Sequence, residues 1–277
     1  MSEFNGLGGH SKGFKPGPRL EDDCKDSLLT VIEKQIIPRL LNVQNFLSKS
    51  PQIQRPSAPL DELAEFKTFT QHCLDNNALR ANAIVDDLSA RGVPQDQIFL
   101  ALITPAARHL GVLWEQDRCS FTQVTCGLAI MHQTIYRLGY ESPLKHHAEG
   151  DKDRLMLACA PGSQHFLGLT IVAEFFRQAG TEVVLEISST ESELLRAVAN
   201  EWFDVVGISV ALDAQLPALP GLIANLRKSS GNRQTLVVLG GPIFSLKSMH
   251  PQDLGADAIF TDANDAVAAV KQLVRAR

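Results

Sequence analysis

Three short stretches carry the residues that could do chemistry, and each follows or closes an apolar run. Ser163-x-His165-x-x-Gly168 comes after LMLACA (155–160), Ser209-x-x-Leu212 closes VVGISV (205–210), and Gly240-Gly241 closes TLVVLG (235–240). A loop imidazole such as His165 can ligate a transition metal. Serine hydroxyls at 163 and 209 can orient it or hydrogen-bond a ligand, and two successive glycines keep a slot free of side chains. The other familiar constellations are missing: there is no Ser-His-Asp order, P-loop or metalloprotease motif. Cys24, Cys73, Cys119, Cys126 and Cys159 are odd in number and form no CxxC, which suits buried thiols in a reduced compartment better than disulfides or a zinc site. No catalytic residue is assigned, and a binding protein is expected rather than an enzyme.

The elements that must position these residues follow from periodicity. After Asp151, apolar runs at 155–160, 182–187, 205–210, 235–240 and 257–261 alternate with segments of helical period at 168–179, 191–201, 215–230 and 263–276. That alternation predicts an α/β fold, a five-stranded doubly wound parallel sheet that is Rossmann-like and covers residues 151–277. In such a sheet ligands bind beyond the carboxyl ends of the strands where the strand order reverses, so the loops after strands one, three and four share one rim. Upstream, four helices are expected at 60–75, 78–90, 95–115 and 120–138, an antiparallel bundle forming a helical domain over 60–145. A helical segment over 21–50 is interrupted at Pro38, SKSPQIQRPSAP (48–59) reads as a linker, and residues 1–20, with five glycines and two prolines, as a flexible tail.

The order of the three motifs resembles the cobalamin-binding signature DxHxxG…SxL…GG, and GADAIFTDANDAV (255–267) resembles that family's last strand and helix. The resemblance implies that cobalamin, as the adenosyl-, methyl- or hydroxo- form, is held with His165 as lower axial ligand to cobalt. Gly240 and Gly241 would keep the slot for the cofactor's displaced nucleotide tail free of side chains, Ser209 would hydrogen-bond that tail, Gly168 would let the first helix start close to the corrin, and Ser163 and Leu212 complete the cofactor-binding set. The family's acid stands two residues before the histidine, where this chain has Ser163; serine orients an imidazole without charging it, so His165 is expected to be a weaker electron donor. LGVLWEQDR (110–118) is similar to the LGxxWE segment of the helical cap preceding such domains, which implies Trp114 above the corrin. The Glu-His pair that follows in light-sensing caps is Val124-Thr125 here, leaving His132 or the tail's His10 as candidate upper ligands.

A cap, a cobalamin domain, no DNA-binding domain and a histidine-bearing glycine-rich tail resemble the AerR/PpaA group. The implication is a light-responsive antirepressor acting on a PpsR/CrtJ-type transcriptional repressor, with DNA reached only indirectly. The formal charge of −5 agrees, because direct DNA binding needs a basic stripe. Two alternatives stay open: the corrinoid shuttle protein of a methyltransferase (or the cobalamin subunit of a mutase), and a haem-binding regulator on the same fold. No signal peptide and no membrane-length apolar run is read, so a cytoplasmic location without membrane contact is expected.

Overall fold

The first strand, β1 (Arg154–Cys159), alternates strictly: Leu155, Leu157 and Cys159 enter one apolar core, while Met156 and Ala158 enter the core on the opposite face. Such two-sided burial requires a sheet covered on both faces, the usual setting of parallel strands. The computed structural model, which describes residues 64–141, 153–163, 165–187 and 190–277, shows that sheet. β2 (Glu182–Glu186), β3 (Val205–Ser209), β4 (Leu236–Gly240) and β5 (Ala258–Ile259) join β1 in the order β2-β1-β3-β4-β5, all pairs parallel. The order reverses between β1 and β3. The predicted fifth strand, 257–261, contracts to two paired residues at the sheet edge.

Helices α5 (Phe166–Gln178) and α9 (Ala263–Arg275) cover one face of the sheet, through Leu169, Ala173 and Phe176 and through Ala266 and Val270. α6 (Glu191–Asn200) and α7 (Leu219–Ser229) cover the other, through Leu194 and Val198 and through Leu219, Leu222, Ile223 and Leu226. Their starts are encoded locally. Thr190 and Glu193 form a reciprocal capping box on α6, and Asp262 caps α9 by accepting from Asn264 N and Asp265 N. The predicted helix 215–230 instead opens as a 3₁₀ turn, Asp213–Ala218, because Pro217 has no N–H to donate. A four-residue helix α8 (Ile243–Leu246) and a 3₁₀ turn Pro251–Leu254 occupy the β4–β5 connection, where none was expected.

Upstream lie α1 (Ala64–Leu74), α2 (Ala78–Ala90), α3 (Gln95–Glu115) and α4 (Phe121–Glu141). Asn77 caps α2, and at α4 the N–H of Ser120 donates to Gln123 Oε1 while that of Gln123 donates to Ser120 Oγ. α3 widens into a π turn at Ile98–Ile103: the N–H of Thr104 reaches back to Phe99 O, and Pro105 follows without an N–H. α3 has the length and apolarity of a membrane span, but Ile98, Phe99, Leu102, Ile103, Ala106 and Leu110 are buried in the bundle core.

That core does not end at the bundle. It includes Ile171 and Phe175, so α5 lies between bundle and sheet and is apolar on both sides, as a fully enclosed helix must be. Gly139 on α4 admits the buried Glu174 carboxylate of α5: a Cβ at position 139 would fall 2.1 Å from Glu174 Oε2. Arg177 meets that carboxylate at 2.6 Å, and Gln178 Nε2 donates to Gln95 Oε1 at 3.0 Å. All described residues belong to one compact unit. The tail 1–20, the segment 21–50, the linker 48–59 and His10 lie outside the described residues.

Candidate functional site

β1, β3 and β4 end level with one another, Cys159 opposite Ser209 and Ser209 opposite Gly240, so the three expected loops do leave from one rim. The backbone ladder continues slightly past the strands, with Ala160 N donating to Ser209 O at 2.9 Å and Val210 N to Gly240 O at 2.8 Å. Beyond this point β1 turns at once. Ser163 N donates to Ala160 O at 3.0 Å, with Pro161 and a left-handed Gly162 (φ +79°) between them, the signature of a type II turn.

This turn delivers Ser163 and His165. Ser163 is buried, and its Oγ lies 3.4 Å from His165 Nδ1 and accepts the His165 N–H at the same distance. His165 occupies the N-cap position of α5, yet its ring caps no backbone group and the residue is exposed. Protein atoms crowding the ring push its pKa below the ordinary imidazole value, so it is neutral at pH 7 and able to offer a lone pair. In the tautomer with hydrogen on Nδ1, Ser163 Oγ accepts it and Nε2 faces a ligand. Beneath them Cys159 donates its thiol hydrogen to His165 O at 3.7 Å. Burial pushes that thiol up to about 11, partly offset by a hydrogen bond from Ser163, so it stays protonated.

The other predicted residues separate into two groups. Ser209, Leu212, Gly240 and Gly241 stand on the same rim, all partly accessible. Gly168 lies in the exposed first turn of α5, where a Cβ would meet nothing within 4 Å. The glycine pair has a reason additional to an empty slot. Gly241 holds φ +106°, and a Cβ there would fall 2.4 Å from Val210 O, so it is needed for backbone contact between the β3 and β4 loops. The cap residues are more scattered. Trp114 is half-buried in the last turn of α3, and Thr125 is exposed with its hydroxyl donating to Phe121 O of its own helix. His132 packs against α5, its Nδ1 3.5 Å from the buried Thr170 Oγ1, and burial lowers its pKa. Among the described residues no three metal-ligating side chains cluster.

Gln215 was not anticipated. Its side chain accepts from Ala211 N (3.1 Å) and Leu212 N (3.0 Å) and donates to Ala160 O and Pro161 O (both 3.2 Å), joining the β1 loop to the β3 loop. Its bonds to Ala211 and Leu212 are local, as for a glutamine in the first turn of a helix, but the two carbonyls it also holds lie 54 and 55 residues away, just beyond β1, and no local pattern announces them.

Residues 154–271 match the family model of the B12 binding domain. A protein of Rhodobacter capsulatus, named as an uncharacterized 20.5 kDa protein of the bchF-crtJ intergenic region, is 28% identical over 179 residues, which cover 65% of this chain and 93% of that relative. The monomethylamine corrinoid protein of Methanosarcina barkeri superposes with a TM-score of 0.60 at 16% identity, over 76% of this chain and 98% of that one, a likeness of fold.

Proposed function

With residues 154–271 forming a B12-binding domain and cobalamin its cofactor, we propose that the chain is a light-responsive regulator in which His165 is the lower axial ligand to cobalt. The observation that carries the proposal is the His165 ring, exposed at the switch point of the sheet with its Nδ1 beside a buried serine. The residues fit the group: one free imidazole nitrogen, an unobstructed glycine beside it, and Ser209, whose hydroxyl has no partner among the described residues, at the crevice mouth.

Bound cobalamin supplies visible-light absorption and an exchangeable upper cobalt ligand. The chain's residues supply the rest. Ser163 orients His165 without adding negative charge, which favours a labile regulatory ligand over the strongly donating one that methyl transfer asks for. His165 is the N-cap of α5, whose Ile171 and Phe175 lie in the bundle core, so a displacement of His165 is passed along α5 to the cap. On the upper side the candidates are His132, whose Nδ1 faces Thr170 and whose Nε2 is then the available nitrogen, and His10.

The regulatory half of the reading rests on the resemblance to the AerR/PpaA group, the relative from the bchF-crtJ region and the acidic charge. The partner is a PpsR/CrtJ-type repressor whose affinity differs between the two ligand states, because a ligand without differential contacts shifts no equilibrium. Reconstitution with adenosyl-, methyl- and hydroxocobalamin, followed by absorption spectra in darkness and after illumination, tests it. Stoichiometric binding with a light-dependent change, and loss of the histidine-ligated spectrum in His165→Ala, is expected. A haem spectrum, or methyl transfer from the loaded protein to a thiol or amine, would overturn it.

A further inference from the structure

In this sheet β1 and β3 are neighbours, yet the chain leaves them towards opposite faces: β1 leads into α5 and β3 leads towards α7. The two loops therefore diverge, and backbone groups at the crevice between them lose the partners a continuing ladder would provide. Ala160 O, Pro161 O, Ala211 N and Leu212 N are such groups, and the Gln215 amide bonds all four. A carboxamide has two acceptor lone pairs and two donor hydrogens, so the match uses its whole capacity. Asparagine is one carbon shorter, glutamate offers no donors, and leucine offers nothing. Of the four groups, Ala160 O and Pro161 O begin the turn that carries Ser163 and His165.

We propose that Gln215 is a positioning residue: it clamps the turn bearing His165 to the β3 loop bearing Leu212 and thereby fixes where the imidazole stands over the crevice. The clamp is a property of the protein alone; its consequence for the cofactor rests on the ligand role proposed above for His165. A side chain serving only to fill space would tolerate leucine, whereas a clamp needs acceptor and donor together. The two halves are separable, because glutamate keeps the acceptor for Ala211 and Leu212 but turns a carboxylate towards two carbonyl oxygens.

The test compares full-length wild type, Gln215→Glu and Gln215→Leu. In cofactor-free protein, hydrogen exchange at the Ala211 and Leu212 amides and NMR titration of the His165 ring report the clamp directly. Gln215→Leu is expected to exchange about tenfold faster at both amides, since the two lost bonds correspond to roughly that factor. Gln215→Glu is expected to keep their protection while moving the His165 titration. With hydroxocobalamin, both variants are expected to bind about tenfold more weakly and to lose part of the histidine-ligated absorption. Unchanged exchange and an unchanged His165 titration in either variant overturn the proposal, and if Gln215→Leu does not fold, Gln215→Glu decides. Should wild type take no cobalamin, the ligand role of His165 falls while the exchange and titration results still decide the clamp.

Discussion

The two rims of the sheet are built from different chemistry. Where the strands begin, charged side chains brace backbone to backbone. Arg154 reaches Glu182 (2.8 Å), Glu201 (3.0 Å) and Trp202 O (3.1 Å), and its own N–H donates to Asp204 Oδ2 (2.8 Å). Asp257 accepts from Val237 N at 2.7 Å and from Arg227 at 2.8 Å, and Asn232 and Thr235 both donate to Phe203 O at 3.0 Å. Where the strands end, the backbone is met by Ser163, Gln215 and two glycines, and the charged link Lys247–Asp213 is solvent-exposed. The braced rim removes freedom; the neutral rim is where parallel sheets of this kind place their ligand crevice. The proposed function thus puts stability and binding at opposite ends of the same strands.

Substitutions that cross this division test it. Gly241→Ala attacks the close backbone contact between the β3 and β4 loops, combining an unfavourable φ with a backbone clash; it should cost about 3 kcal/mol in urea unfolding and weaken cobalamin binding as well. Asp257→Ala at the braced rim should cost about 2 kcal/mol by orphaning Val237 N, while the protein that remains folded binds cobalamin with wild-type affinity. Weakened binding there would break the proposed separation of roles.

Proton linkage gives a smaller effect with a definite sign. Desolvation lowers the pKa of His109, His132 and His165, so below about pH 6.5, the value for free imidazole, the unfolded chain takes up protons that the folded protein resists. The stabilisation is complete above that pH and is lost as pH falls through the folded values. Urea midpoints measured from about pH 8 down to about pH 5 should decline. His132→Gln, which keeps a partner for Thr170, should flatten part of that decline. The smallest change runs the other way. Gly168→Ala fills open space in a helix and should raise stability by about 0.5–1 kcal/mol, yet weaken cobalamin binding if the corrin lies on that surface. Unaltered affinity would move the corrin away from α5.

Much of this was legible in the residues. Alternating burial in β1, capping sequences at Thr190 and Asp262, and the π-free stretches of the bundle are encoded by neighbours within a few positions, and the expected helix 78–90 is observed as Ala78–Ala90. His165, Ser209 and Gly240 were placed on a common rim because parallel strands of similar length end together. Local patterning was therefore enough for the main helices and strands, their class and the placing of the His165 loop on the rim. Tertiary structure alone decided that Gly241 is required by Val210, that His132 meets Thr170, that α5 is shared by two cores, and that Gln215 closes the gap between β1 and β3. The reason is physical. Each of these depends on backbone or side-chain groups brought together from distant parts of the chain, and local residue periodicity carries no record of which distant atom will stand opposite.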